Sequence, residues 1–246
     1  MKTVEYGVGN QKRIILLHGG GLSWWNHRKA AERLSGDFHV ILPVLDGHAG
    51  SDRDFAGIGE NAEELLRYID EYCGGSVLLI GGVSLGAQIL LETIARRKNV
   101  CRYAVIESAS VIPSKMLAAL MAPMLSVCFG LIRQRWFARL QFQYLRMPPE
   151  LFGDYYRDTC RITEENMAAY LRESLSYAGS KALCACEAAC TVIVGSRELR
   201  GMRRSAERLC SILPKSVLEV KRGLYHGEFS ASLSCEYADA LRKLTL

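Results

Sequence analysis

The sequence predicts an α/β fold with a mostly parallel central sheet, flanking helices and an inserted helical cap. Short apolar runs rich in β-branched residues alternate with longer segments of helical period, a pattern typical of a parallel sheet wrapped by helices. This alternation stops at Pro113 and resumes only near Thr191. The 246 residues, 49% of them hydrophobic, suffice for one compact core that carries such an insertion.

Six strands and five helices are expected outside the insertion. The strand candidates are residues 14–17, 40–42, 77–80, 104–106, 192–194 and 217–220. The helix candidates have apolar residues at three- and four-residue spacing, and they are residues 30–34, 63–72, 89–97, 203–213 and 237–244. We therefore expect residues 1–112 and 186–246 to form the core and residues 113–185 to form the cap.

Within the expected cap, residues 116–132 carry no charged side chain, which is also a property of membrane spans. The stretch is shorter than the about 20 residues that a span requires, and it contains Pro123 and Gly130. We expect a buried pair of lid helices and no stable membrane insertion.

The first motif that carries chemistry is Gly82-Val83-Ser84-Leu85-Gly86, which follows the apolar run 77–80 and precedes a helical run. A G-x-S-x-G sequence between a strand and a helix is the context of a nucleophile elbow. The two glycines are needed because larger side chains would collide with backbone at this tight turn. Ser84 is therefore the candidate nucleophile.

A second motif, His18-Gly19-Gly20-Gly21, directly follows the apolar run 14–17 and is similar to the oxyanion-hole motif of esterases and lipases. Preorganised backbone N–H groups stabilise a tetrahedral oxyanion, and glycines allow them to approach closely. We expect the Leu85 amide to be one donor and Gly20 the other, with Gly21 as the next choice. His18 is expected to be structural.

These motifs make the chain resemble the α/β-hydrolase superfamily over residues 14–113 and 191–244, as a capped, esterase-like serine hydrolase. The resemblance implies a serine, an acid and a histidine in that order along the chain. Gly195-Ser196-Arg197-Glu198 looks like the family's Gly-x-x-Asp/Glu turn, and His226-Gly227 looks like its late His-Gly turn. The resemblance thus implies Glu198 as the triad acid and His226 as general base and then general acid.

Two further residues, Glu107 and His48, lie in positions similar to family motifs. The family sometimes has its acid after the strand that precedes the cap, and Glu107 fits that alternative. We favour Glu198 because the glycine-led turn is the commoner arrangement, although Glu198 is also compatible with a surface carboxylate paired with Arg197 or Arg200. His48 belongs to a loop similar to the family's Pro-Asp-x-x-Gly-His-Gly-x-Ser loop, with Val44 and Ala49 departing from that pattern, and we expect it to shape a turn.

The composition excludes several other classes of function. The formal charge of +5 comes from scattered residues without a nucleic-acid-binding tract, so no nucleic-acid partner is expected. Nucleotide and zinc-protease motifs do not occur in the sequence, Cys184, Cys186 and Cys190 lack zinc-site spacing, and we expect no cofactor and no metal. Nine cysteines and no signal-peptide core favour free thiols in the cytoplasm. The oligomeric state cannot be predicted.

The expected substrate is a small, largely apolar carboxylic ester or related acyl compound. Eight apolar side chains of the cap are candidates for the pocket lining, unless they only pack the cap onto the core: Met116, Leu117, Leu120, Met121, Met124, Leu125, Phe129 and Trp136. The same triad also serves thioesterases, acyltransferases and C–C bond hydrolases, and the fold also occurs in non-catalytic ligand-binding proteins. These remain the alternatives.

Overall fold

The structure is a computed structural model that describes residues 1–245, apart from the side chain of residue 122. Its centre is a seven-stranded sheet in the order β1-β3-β2-β4-β5-β6-β7. The strands are β1 (Lys2–Tyr6), β2 (Arg13–Leu17), β3 (His39–Val44), β4 (Val77–Val83), β5 (Cys101–Glu107), β6 (Ala189–Gly195) and β7 (Ser216–Lys221). All neighbouring strands are parallel except β1, which pairs antiparallel with β3.

Ten α-helices accompany the sheet in the described part of the chain. They are α1 (Arg28–Leu34), α2 (Ile58–Cys73), α3 (Leu85–Arg96), α4 (Lys115–Ile132), α5 (Arg135–Tyr144), α6 (Phe152–Thr159), α7 (Glu164–Ser176), α8 (Arg200–Ile212), α9 (Glu228–Ser232) and α10 (Ser234–Thr245). Short 3-10 turns occupy Trp24–His27, Pro149–Leu151 and Lys181–Ala185.

The predicted fold class is confirmed: the chain forms an α/β-hydrolase fold with a mostly parallel sheet flanked by helices. Each of the six strand candidates lies within an observed strand, and each of the five helix candidates overlaps an observed helix. Outside residues 113–185, one strand and one α-helix were not predicted. Strand β1 is polar and only half-buried because it forms the edge of the sheet, and α9 has just five residues.

The core has one apolar layer on each face of the sheet. On one face, α2, α3 and α8 pack against the strands, with Leu65, Leu90 and Leu209 among the buried residues. On the other face, α1 and α10 bury Leu34 and Tyr237. Because every parallel strand runs the same way, the loops that follow β2, β4, β5, β6 and β7 meet at one edge of the sheet.

Residues 108–188 between β5 and β6, named the β5–β6 insert, contain α4 to α7. Its first helix, α4, packs against α7. Within residues 1–245 no single helix is long and apolar enough to cross a membrane. The two arms of α4, Lys115–Met121 and Pro123–Ile132, reach that length and apolarity only together, and the helix is bent by 54° between them.

The expectation of a buried pair of lid helices in residues 116–132 is wrong for one side of this segment. One face of α4 is buried, through Ala118, Leu125, Phe129 and Ile132. The opposite face is exposed, with 82% of Val127 and 73% of Met116 open to solvent. Hydropathy alone could not distinguish these arrangements, because both faces of the helix are apolar.

Candidate active site

Ser84 lies at the tight turn between β4 and α3, as the nucleophile-elbow motif predicts. Its backbone has φ 54° and ψ −114°, in the left-handed half of φ space that L-residues avoid. A Cβ on Gly82 would come within 2.5 Å of the Gly86 carbonyl oxygen, and a Cβ on Gly86 would come within 2.5 Å of the Leu17 and His18 carbonyl oxygens. The glycines are therefore required by close backbone packing.

Three sequence-predicted residues, Ser84, His226 and Glu198, form a continuous hydrogen-bonded chain. His226 Nε2 lies 2.9 Å from Ser84 Oγ, and His226 Nδ1 lies 2.9 Å from Glu198 Oε2. The carboxylate accepts the Nδ1 proton, so Nε2 is the nitrogen that can accept a proton from the serine hydroxyl. These distances are within the reach that general-base catalysis requires.

Glu198 has further donors on its second oxygen. Oε1 accepts the Gly195 N–H at 2.7 Å and the Ser108 hydroxyl at 2.9 Å. Burial alone would raise the pKa of Glu198, but the hydrogen bond from His226, the charge of that residue and the two other donors together lower it. The side chain is therefore held as an oriented carboxylate.

Glu107, the alternative acid, is also buried at the end of β5 but has different partners. Its carboxylate accepts the backbone N–H groups of Phe229 and Ser230 at the start of α9. Burial raises the pKa of Glu107 to about 7, although hydrogen bonds from Ser230 act to lower it. His226 Nδ1 donates to Glu198, while Glu107 fixes the turn that follows His226.

The candidate oxyanion donors differ in their availability. The Gly21 N–H donates to His48 Nε2 at 3.0 Å, so it is already occupied in this arrangement. The amides of Gly20 and Leu85 donate to no backbone carbonyl in the part of the chain that the structure describes. Gly20 also lines the same small cavity as Ser84 and His226.

His18 and His48 have structural partners. His18 Nε2 accepts the Leu45 N–H and its Nδ1 faces the Gly19 carbonyl, while His48 Nδ1 faces the Asp46 carbonyl. Burial lowers the pKa of His48 to about 4 and that of His18 well below its usual value. Both rings are neutral at pH 7 and hold the two glycine-rich loops together.

Two connected spaces lead from the serine. A cavity of about 70 Å³ is lined by Ser84, His226, Gly20, Leu22 and Leu145, among others. A groove of about 480 Å³ shares Gly20, Leu22 and Leu145 with it. The groove then runs between the glycine loop and the β5–β6 insert along apolar side chains: Ile132, Phe137, Leu140, Tyr155, Met167, Tyr170 and Leu171.

None of the eight cap residues expected to line the pocket borders this groove. Leu125 and Phe129 are buried against the core, whereas Met116, Leu117, Leu120, Met124 and Trp136 are exposed. The groove instead uses the end of α4, α5, α6 and α7. Composition showed that the insert is apolar, but the direction of each side chain depends on helix packing that the sequence does not reveal.

Ser108 was not singled out from the sequence, although it is part of the site. It follows Glu107 directly, donates to Glu198 and accepts the Gly227 N–H at 3.0 Å. It thereby joins the loops that carry the acid and the histidine. Its position directly after β5 places it at the same edge of the sheet as Ser84, but no motif surrounds it in the sequence.

Comparison with known proteins agrees with this architecture. A model of the Alpha/beta hydrolase family matches residues 14–231. The chain therefore belongs to the α/β hydrolase family, and the class of enzyme that fold and family define is a hydrolase.

Solved structures of similar fold include two esterases. The esterase from Exiguobacterium antarcticum has a TM-score of 0.82 at 14% identity, over 99% of this chain and 94% of that chain. The thermophilic esterase from Thermogutta terrifontis has a TM-score of 0.78 at 18% identity, over 99% and 92%. MenH from S. aureus has a TM-score of 0.79 at 18% identity, over 98% and 96%. At these identities, the likeness shows a shared fold.

Proposed function

We propose that this chain is a serine esterase that cleaves a small, largely apolar carboxylic ester through Ser84, His226 and Glu198. The observation that carries the proposal is the hydrogen-bonded chain from Ser84 Oγ through both nitrogens of His226 to Glu198 Oε2, with 2.9 Å at each step. The chain order of serine, acid and histidine is also the order of the family's catalytic triads.

In the first half of the reaction, His226 Nε2 takes the hydroxyl proton as Ser84 Oγ attacks the ester carbonyl. The negative charge that develops on the carbonyl oxygen is stabilised by the Gly20 and Leu85 amides. The Leu85 amide opens α3, whose N-terminal dipole also favours negative charge. His226 then gives its proton to the leaving alcohol, and an acyl-serine remains.

In the second half, His226 Nε2 takes a proton from water, and the resulting hydroxide attacks the acyl-serine. The same two amides stabilise the second oxyanion. Collapse of that intermediate breaks the bond to Ser84 Oγ, which regains its proton from His226, and releases the carboxylic acid. Glu198 keeps the imidazole oriented and stabilises its positive charge throughout.

The substrate class follows from the two spaces at the serine. The cavity of about 70 Å³ leaves little room around the reacting carbonyl. The groove of about 480 Å³ is lined mainly by aliphatic and aromatic side chains, so it suits an apolar acyl or alcohol group.

Residues 113–185 act in this proposal as a cap that covers the groove, over a core of residues 1–112 and 186–246. The nine free cysteines favour action in the cytoplasm.

The first test uses a fluorophosphonate probe and p-nitrophenyl esters with wild-type protein and Ser84→Ala. The wild type should be labelled and should hydrolyse the esters, while the variant should lose labelling and about 10³-fold or more of its turnover. Absence of labelling in folded wild-type protein would favour the non-catalytic ligand-binding alternative. Equal labelling of both proteins would exclude Ser84 as the nucleophile.

The second test compares Glu198→Gln with Glu107→Gln. Loss of the carboxylate that orients His226 should lower kcat by about 10²- to 10⁴-fold. The Glu107→Gln variant should keep kcat within about tenfold of the wild type because it acts on the α9 turn rather than on the imidazole. The opposite ranking would make Glu107 the acid.

A further inference from the structure

The exposed side of α4 and α5 is unusually apolar for a protein surface. Fifteen large apolar side chains are exposed among the described residues, and nine of them belong to these two helices. We name these nine the docking face: Met116, Leu117, Leu120, Met124, Val127 and Leu131 of α4, and Trp136, Leu140 and Tyr144 of α5. Large contiguous apolar patches mark interaction sites.

The spacing of these residues places them on one side of each helix. On α4, Leu120, Met124, Val127 and Leu131 recur at intervals of three or four residues, and on α5 the interval is four. The opposite side of α4 packs into the protein through Leu125, Phe129 and Ile132. The second arm of α4 thus lies on the body of the protein, with one apolar face inward and one outward.

The segment that carries the docking face has charged residues of a single sign, although Glu164 of α7 accepts a hydrogen bond from Ser126 on the flank of α4. Residues 115–149 contain Lys115, Arg133, Arg135, Arg139 and Arg146 and no acidic residue. These five residues equal the whole formal excess of +5, so the rest of the chain is balanced. The four arginines are exposed. Arg133 and Arg139 rest against the Phe129 and Phe152 rings, so each charged head is held at the margin of the face.

We infer that the docking face binds the surface of an anionic lipid bilayer, with α4 and α5 lying in the plane of the headgroups. An apolar stripe bordered by basic residues is the pattern of helices that lie in a membrane interface. The bend of 54° in α4, and the packing of its inner face on the core, fit an in-plane position rather than a span. Basic side chains at the margin attract anionic headgroups.

Charge also decides against a second copy of this chain as the occupant. A symmetric dimer through this face would bring cations of residues 115–149 from two copies together, and that segment contains no acidic residue to pair with them. An anionic membrane supplies the opposite charge and an apolar phase at once. The lipid surface is therefore the occupant that both the apolar and the basic residues fit.

The docking face is continuous with the groove that leads to Ser84. Leu140 and Tyr144 belong to both, and 87% of Tyr144 is exposed. If the proposed esterase function holds, on which this step rests, an apolar ester could pass from the bilayer into the groove without crossing bulk water. Docking itself does not depend on that function.

The test measures cosedimentation with vesicles of phosphatidylcholine alone and with vesicles that contain 30% phosphatidylglycerol. We expect the wild type to bind the anionic vesicles at least about tenfold more tightly than the neutral ones, and to be released by about 0.5 M NaCl. Ser84→Ala should bind equally well. Absence of binding to anionic vesicles by an active enzyme would overturn the docking proposal alone.

Matched variants locate the binding surface. The double variant Leu120→Glu/Val127→Glu should lose at least about tenfold in vesicle affinity. Its control, Leu199→Glu/Val217→Glu, changes the same residue types at exposed positions outside the face and should bind like the wild type. Both should retain turnover of a short soluble p-nitrophenyl ester, which shows that they fold. Equal binding by the two variants would contradict the proposal.

A second pair tests the charge. Arg133→Gln/Arg135→Gln should weaken binding to anionic vesicles about tenfold, whereas Arg204→Gln/Arg208→Gln, exposed on α8, should not. Sedimentation velocity without vesicles completes the test. A wild-type dimer that Leu120→Glu/Val127→Glu converts to a monomer, with no vesicle binding by either protein, would identify a self-association surface and overturn the lipid proposal.

Discussion

At the scale of single residues, Ser108 links two loops that come from distant parts of the chain. Its hydroxyl donates to Glu198 Oε1 and accepts the Gly227 N–H. Its own backbone has φ 54° and donates to the Ile193 carbonyl. One small side chain thus aligns the acid with the residue that follows His226, which makes Ser108 a positioning residue.

We expect Ser108→Ala to lower kcat for a p-nitrophenyl ester about tenfold while KM changes by less than about twofold. The loss of one hydrogen bond to a charged group corresponds to about 1.5 kcal/mol, and about 1.4 kcal/mol is a factor of ten in rate. Ser110→Ala, in the same loop, removes a hydroxyl that has no contact with Glu198 and should leave kcat unchanged. A change in KM alone for Ser108→Ala would show that the residue acts on substrate binding.

The sequence was sufficient to nominate Ser84, His226 and Glu198, because each lies in a short glycine-containing motif after a recognisable strand. It could not nominate Ser108, since a lone serine after a strand has no distinguishing pattern. It also did not decide between Gly20, the first choice, and Gly21 as the second oxyanion donor. That choice depends on a hydrogen bond from Gly21 to His48, which is 27 residues away along the chain.

Glu107 should make the stability of the protein depend on pH. Its pKa rises from the ordinary value of 4.5 to about 7 in the folded state, and burial is the largest cause. Between these two values the folded protein holds a proton that the unfolded chain has released. The stabilisation from this group is fully present below pH 4.5 and is lost as the pH rises through 7.

We therefore expect the free energy of unfolding of Glu107→Gln, relative to wild type, to increase between pH 4.5 and 7.5. The increase should be at most about 3 kcal/mol, since one pKa unit corresponds to about 1.4 kcal/mol. Urea denaturation at several pH values measures it. A difference that stays flat, or that falls with rising pH, would show that Glu107 is ionised across the whole range.

At the scale of elements, the turn between β4 and α3 is constrained by close backbone contacts. Gly86 lies where α3 passes the end of β2, and the nearest atoms to a Cβ there belong to the Leu17 and His18 backbone. Backbone cannot move aside as a flexible side chain can. Such contacts allow only glycine at this position. The G-x-S-x-G motif between its strand and its helix was therefore recognisable in the sequence.

We expect Gly86→Ala to lower the free energy of unfolding by more than about 2 kcal/mol and to reduce ester turnover, because the elbow must shift. The control is Gly153→Ala in α6, where a Cβ meets no other atom within 4 Å. That change should raise stability by up to about 1 kcal/mol, since alanine favours the helix. Thermal or urea unfolding compares the two. Similar stability for both variants would contradict the packing explanation.

The elements that the sequence predicted less well depend on contacts with other parts of the chain. Strand β1 owes its existence to pairing with β3, from Lys2 opposite Val44 to Tyr6 opposite Val40, and not to its own apolarity. The insert helices were expected from composition, but their facing was not. Residues of α4 are apolar on both sides, so no periodicity indicated which side packs on the core.

At the scale of the whole molecule, hydrogen bonds join the insert to the sheet domain. Each has its donor in one part and its acceptor in the other. The Phe55 N–H donates to Asn166 Oδ1 at 2.7 Å, and the Ile58 N–H donates to Glu173 Oε1 at 2.8 Å. In the same direction, the Gln88 side chain of α3 donates to the Ser174 carbonyl. Helix α7 thus serves as a partner for core loops.

We expect Asn166→Ala to lower the free energy of unfolding by about 1–3 kcal/mol, because it leaves the buried Phe55 N–H without its acceptor. Glu165→Ala, one residue earlier and exposed, should change stability by less than about 0.5 kcal/mol. Both values come from urea denaturation monitored by tryptophan fluorescence and circular dichroism. Equal losses in the two variants would mean that Asn166 contributes only helix propensity.

These shared hydrogen bonds limit how far the insert can be exchanged between relatives. A graft that carried a different α7 would leave the Phe55 and Ile58 amides unpaired unless it also supplied acceptors at the positions of Asn166 and Glu173. The insert is therefore not a freely interchangeable module. In particular, α7 must change together with the loops around residues 54–58.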